Sequence, residues 1–147
     1  MKSDSDSFFA DANVLVYAAL KDDSRHDVAK ALLKDSSRGA LYISPQILTE
    51  FYSTITSSKR VTVPYAPMDA VMFIETLLGY EHIRVLPISR EVADRLLALL
   101  KTYGVKGPLV FDLQIVATML VHGVTKILTY NVRDFDRIAG LEVVEPN

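Results

Sequence analysis

Cysteine is absent from all 147 residues, which removes disulfides, thiolate zinc sites and cysteine nucleophiles from the chemistry open to the chain. No run approaches the ~18 consecutive apolar residues of a membrane helix. Positive charge is not in excess. Sixteen Lys and Arg against 18 Asp and Glu leave a net charge of −2, so local patches, not a global field, must attract any nucleic acid. Histidine is scarce, and His26, His82 and His122 lack the spacing of metal ligands. His26 and His82 read as exposed residues, and His122 as a cation suited to a helix C-terminus. Internal repeats, low-complexity tracts and linkers are also missing.

Half of the residues are hydrophobic and 23% are charged, a balance that excludes disordered and collagen-like classes. The length favours one domain over residues 1–147, burying about 68–70% of its unfolded surface. The polar start MKSDSDS predicts a frayed tail over residues 1–7. It carries acids where a secretory signal carries positive charge, so a soluble, cytoplasmic protein is expected.

Short β-rich runs alternate with longer helical patterns. Strands are expected at 7–10, 40–43, 83–88, 126–130 and 141–144. Between them, helices are expected at 13–20 and at 24–35, the latter capped by Ser24 with Val28, Ala31 and Leu32 inward. Others run from Pro45 behind a Ser44 cap to about residue 58, over 67–78, from a Ser89 cap to Gly104, and from Pro108 to Gly123. Strands separated by helices imply parallel crossovers, hence an α/β/α sandwich with a central parallel sheet of about five strands. Such sheets place ligands beyond the carboxyl ends of their strands.

Four acids fall at that edge. Asp11 closes the first strand within FFADANVLVY, and Asp134 follows the fourth within YNVRDFD. Glu50 lies a turn or so inside the helix capped by Ser44, and Asp112 lies a turn inside the helix opened by Pro108. Each has an ordinary structural explanation. Asp11 could cap a helix, Glu50 could be a solvated helix residue, and Asp112 could answer a helix dipole. Asp134 could cap a turn, with Asp136 competing for any role. Their apolar settings weaken those explanations, most of all for Asp112, whose helix reads as buried almost all round. Carboxylates packed together raise one another's pKa unless a cation neutralises them. With only oxygen ligands on offer, a hard Mg²⁺ or Mn²⁺ is favoured, and such ions serve phosphoryl chemistry.

The segments FFADANVLVYAA, SPQILTEFYSTI, VFDLQIVATMLVHG, ILTYNVRDF and GLEVVEP resemble, in order, those of PIN-domain ribonucleases. Among these the similarity is greatest to the toxins of VapBC-type toxin–antitoxin pairs, and it runs from about Phe8 to Pro146. The resemblance implies metal-assisted hydrolysis of RNA, leaving a 5′-phosphate and a 3′-hydroxyl. Asp11, Glu50, Asp112 and Asp134 would form the metal cluster, supported by Asn13, Thr129 and Asn131. Asn131 stands where many relatives carry a further acid. Homodimers and a silencing antitoxin are implied as well, with 67–78 and VTVPYAP as candidate contact surfaces. Lys59, Arg60, Lys106 and Arg133 are the candidate RNA-binding cations, and Tyr52, Tyr65 and Tyr130 the candidate stacking rings. Two alternatives stand beside this reading. A haloacid-type phosphohydrolase needs a second Asp two residues after the first, where this chain has Asn13. A non-catalytic PIN-fold interaction or RNA-binding module is the other.

Overall fold

Three-residue strands alternate with helices in the computed structural model, which describes residues 7–147. The order is β1 (Phe8–Ala10), α1 (Ala12–Ala19), α2 (His26–Lys34), β2 (Leu41–Ile43), α3 (Pro45–Ile55), α4 (Pro67–Leu78), β3 (Ile83–Val85), α5 (Arg90–Tyr103), α6 (Val110–Val121), β4 (Lys126–Leu128) and β5 (Glu142–Val144). All strands pair in parallel, in the order β3-β2-β1-β4-β5. Helices cover both faces of this sheet, giving the three-layer α/β/α arrangement.

β1 is central, and Phe9 and Ala10 are wholly buried. That is why the strand is a continuous apolar run and not an alternating one. From β1 the chain builds outward through β2 and β3, then returns to start the other half with β4 against β1. The carboxyl ends of β1 and β4 therefore flank the point where the winding reverses, the crevice in which open parallel sheets bind ligands.

Local signals explain most of the helix ends. Ser44 Oγ accepts the Ile47 N–H and Pro45 opens α3, whose inward stripe is Ile47, Phe51 and Ile55, all with zero exposure. Gly104 ends α5 at φ +58°, a left-handed conformation that returns its N–H to Leu100 O.

Several expectations need correction. α2 begins at His26, not at a Ser24 cap, because Asp23 accepts the Arg25 N–H and holds the chain in a turn. Its buried residues are Ala29 and Leu33, not Val28, Ala31 and Leu32. Apolar residues cluster on adjoining positions there, and docking against α1 chooses the phase. α3 stops at Ile55, where Thr56 turns its hydroxyl onto Tyr52 O. The strands are shorter than the apolar runs that contain them, since the ladders end at Val85 and Leu128. A 3₁₀ turn over Gly107–Leu109 precedes α6. That helix is not buried all round, for Phe111 is 54% exposed. His26 and His82 are half-buried, with ring nitrogens on Tyr17 O and Leu33 O. Ser7 is buried and not frayed, while residues 1–6 of the expected tail lie outside the described residues. No helix among the described residues is long and apolar enough to cross a membrane.

Candidate active site

Asp11 is the first residue after β1 and the N-cap of α1. Its backbone N–H donates to Leu128 O at 2.9 Å, which ties the end of β1 to the end of β4. One carboxylate oxygen, Oδ1, accepts the Ala12 N–H at 2.8 Å, and Oδ2 accepts the Thr129 hydroxyl at 2.8 Å. Asp11 therefore caps α1 through Oδ1, while Oδ2 is turned to the loop after β4.

Thr129 and Asn13 form the bracket around it. Asn13 Nδ2 donates to Thr129 Oγ1 at 3.2 Å and lies 3.5 Å from Asp11 Oδ2. Its Oδ1 accepts the Tyr130 N–H, and Thr129 Oγ1 also accepts the Asn131 N–H. Thr129 is wholly buried immediately after β4. Thus the two loops at the reversal point are stitched by side chains that the sequence places 116–118 residues apart.

Glu50 comes from α3 and is held by Gln46, one helical turn earlier, whose Nε2 donates to Glu50 Oε1 at 3.0 Å. Gln46 Nε2 also donates to Phe111 O at 2.9 Å, and its Oε1 accepts from Gln114 Nε2 at 2.8 Å. This amide chain locks α3 to α6 beside Asp112, in the first turn of α6. Asp134 arrives on the 3₁₀ turn Val132–Asp134.

The charges of the four acids act on one another. Asp11 is pushed up to about 6, mainly by burial, against the hydrogen bonds from Thr129 and Ala12 and with help from the charges of Glu50 and Asp134. Asp112 is pushed up to about 7, again mainly by burial, then by Asp134, Asp11 and Glu50, with Arg137 opposing. Glu50 and Asp134 both act on Asp11 and on Asp112, whereas Asp136 is exposed and is not among the charges that shift either. None of the four salt bridges among the described residues reaches these acids. Nor do three acidic or histidine side chains close into a ready-made metal cage there. An all-oxygen donor set that no ion pair neutralises suits a hard divalent ion such as Mg²⁺ or Mn²⁺. Asp11 and Asp112 are the foremost candidate ligands, with Glu50 and Asp134 beside them.

A cleft of about 820 Å³ opens over Asp11, Asn13, Glu50, Asp112 and Asn131. Its walls are α1 and the loop after it on one side, α3 and the loop after it on the other. Arg60 lines the cleft, but Lys59, Lys106 and Arg133 do not. Of the candidate rings, none lines it. Tyr65 donates its hydroxyl to Ala19 O, Tyr130 packs on Tyr17, and Tyr52 stands apart, 36% exposed. Sequence reasoning missed Arg25 and Tyr17, which do line it. It also missed Gln46 and Gln114, which brace Glu50, and Arg137, whose charge opposes the rise of Asp112. Arg25 lies in the polar run KDDSRHD, where no periodicity marks it. Gln46, one turn before Glu50, was the one legible signal.

Comparison with known proteins identifies the family and the fold. A family model described as PIN domain matches residues 8–141. The curated protein Ribonuclease VapC48 of Mycobacterium tuberculosis is 29% identical over 145 residues, covering 92% of this chain and 94% of its own. The solved structure of VapC20 from the same species, described as a sarcin-ricin loop cleaving toxin, superposes with a TM-score of 0.70 at 17% identity, covering 95% of this chain and 99% of that one. A toxin-antitoxin complex from Klebsiella pneumoniae gives 0.63 at 23% identity, covering 95% and 98%. At such identities the structural likeness speaks for the fold alone.

Proposed function

The chain belongs to the PIN-domain family, and from that premise we propose that it is a metal-dependent endoribonuclease, the toxin of a toxin–antitoxin pair. Residues 1–147 act as one PIN domain. The observation that carries the reading is that Asp11, Glu50 and Asp112 line one cleft at the β1/β4 reversal, where the charge of Asp134 also reaches Asp11 and Asp112 and both are held well above the usual carboxylate range. An acid group raised in that way and held in no ion pair among the described residues calls for an external cation.

Asp11 and Asp112 would hold Mg²⁺ or Mn²⁺, with Glu50 and Asp134 completing or orienting the set. When bound, such an ion supplies water activation and stabilises charge on the leaving oxygen. The chain's own residues do the rest. Thr129 and the Ala12 N–H fix both oxygens of Asp11, so the carboxylate cannot rotate away from the cleft. Gln46 aims Glu50, and Arg60 on the cleft wall offers positive charge to a phosphodiester. In the chain without metal, Asp112 retains its carboxyl proton to near neutral pH and limits repulsion of the RNA backbone.

The silencing partner is an antitoxin, for which the exposed Val63, Met68 and Met72 on and before α4 offer apolar contact surface. A homodimer acting in the cytoplasm completes the proposal. Asn13, bonded to Thr129 and Tyr130, speaks against the haloacid-type phosphohydrolase, whose second Asp would occupy that position.

The test is cleavage of structured and unstructured RNAs by purified protein with Mn²⁺, Mg²⁺ or a chelator. Wild type should cut only with metal, and Asp112→Asn should lose at least about 100-fold in rate. A folded Asp112→Asn that cuts at the wild-type rate overturns the cluster. Protein that binds RNA or an antitoxin without cutting points to the non-catalytic module.

A further inference from the structure

One wall of the cleft carries a feature that the acid cluster does not use. The Arg25 guanidinium carbon lies 3.6 Å from the centre of the Tyr17 ring. Tyr130 meets Tyr17 at 4.9 Å and 88°, and lies 5.9 Å from Arg25. These three separations make a near-right angle at Tyr17, so Arg25 covers its face while Tyr130 packs at its edge. Asp23 completes the clamp, its two oxygens accepting from Arg25 Nε and Nη2, each at 2.9 Å, and from the Arg25 backbone N–H at 2.9 Å. The hydrogen bond from Arg25 holds the Asp23 carboxyl down to about 2, so the fork stays closed at any physiological pH.

The unit is costly to build for stability alone. Arg25 retains 45% side-chain exposure, and exposed ion pairs contribute little, typically about 0–1 kcal/mol. Yet α1 and the loop after it commit a tyrosine, an acid and an arginine to fixing a single planar cation at the cleft. Tyr17, Asp23, Arg25, Asp11 and Asp112 all line that same cleft. Arg25's charge is already answered by Asp23, so a bare phosphate gains less from it than from Arg60. What remains available is the side of the guanidinium turned away from Tyr17. A planar, weakly hydrated cation fixed in place is a stacking surface for the π-face of an unpaired base.

We propose that Asp23, Arg25 and Tyr17 form a platform on which one unpaired nucleobase of the substrate stacks, next to the scissile phosphodiester. This rests on the ribonuclease reading and deepens it. The substrate presents a single-stranded segment, and one flanking nucleotide is held by its face and not read by its edges. Arg60 on the opposite wall meets the backbone.

The test separates the platform from the ribonuclease reading. Affinity for a short single-stranded RNA is measured by fluorescence anisotropy with Ca²⁺ in place of Mn²⁺. Wild type, Arg25→Ala and Arg25→Lys are each compared on a set carrying an abasic site at successive positions. In wild type, one abasic position should weaken binding by about 5- to 150-fold, the range of one base–side-chain stack. Arg25→Ala should show the same loss on intact RNA and be insensitive to that abasic position. Arg25→Lys should behave like Arg25→Ala, since lysine keeps the charge but has no plane. Thermal melting of both variants separates loss of the platform from loss of the fold. Identical abasic profiles in wild type and Arg25→Ala would overturn the proposal, as would wild-type affinity in Arg25→Lys. Binding of no RNA by wild type would overturn it as well. Mn²⁺-dependent cleavage by wild type tests the ribonuclease reading separately.

Discussion

Asp11→Asn should stabilise the metal-free protein at neutral pH while abolishing its response to metal. The Asp11 carboxyl ordinarily titrates at 3.8 and is held here at about 6, chiefly by burial. Because the folded value lies above the unfolded one, the protonated carboxyl's contribution to stability is fully present below pH 3.8. It is lost as pH rises through about 6. The gap converts to about 3 kcal/mol against the charged form at pH 8. The introduced amide is neutral and can still accept the Ala12 N–H. It leaves the Thr129 hydroxyl and the Asn13 amide poorly matched, however, at a cost of about 1 kcal/mol. A net gain of about 2 kcal/mol remains, or roughly 4–8 °C in Tm for a chain of this size. The assay is thermal denaturation in chelator from pH 4 to 8. The variant's advantage should be present at pH 8 and vanish near pH 4. Adding Mn²⁺ should raise the Tm of wild type only, reversing the order, since a ligand at about 100 times its Kd contributes about 2.7 kcal/mol. A variant no more stable than wild type at pH 8, or an advantage independent of pH, would refute the assignment of Asp11 as a buried, uncompensated carboxylate.

Thr129→Val removes the hydroxyl that donates to Asp11 and accepts from Asn13 and the Asn131 N–H. The Asp11 carboxyl should rise above about 6 in a carboxyl NMR titration, and denaturant unfolding should show a loss of about 1–3 kcal/mol. Gln46→Ala releases Glu50 and breaks the amide chain from α3 to α6. Calorimetry should find divalent-ion affinity lowered about 10- to 100-fold, as for other groups that orient metal ligands.

Punctuation and period in the sequence settled the order of elements, the parallel sheet and the acids at its carboxyl edge. The reason is that these signals act locally. Ser44-Pro45 opens α3 whatever packs on it, and FFA must be buried wherever it lies. Asn13 two residues after Asp11 was legible as chemistry for the same reason. Phase and length were not. The α2 stripe turned on which of several adjoining apolar residues met α1, and the strands stopped where their neighbours stopped pairing. Only the tertiary structure brought Thr129 onto Asp11 across 118 residues of sequence, and Gln114 onto Gln46 across 68. It also chose among the cations, admitting Arg60 and the unforeseen Arg25 to the cleft while leaving Lys59, Lys106 and Arg133 outside. A surface cation carries no burial signal in its own sequence, because water accommodates it equally well on either side of the molecule. Which of them serves the site is decided by the topology that carries its loop there.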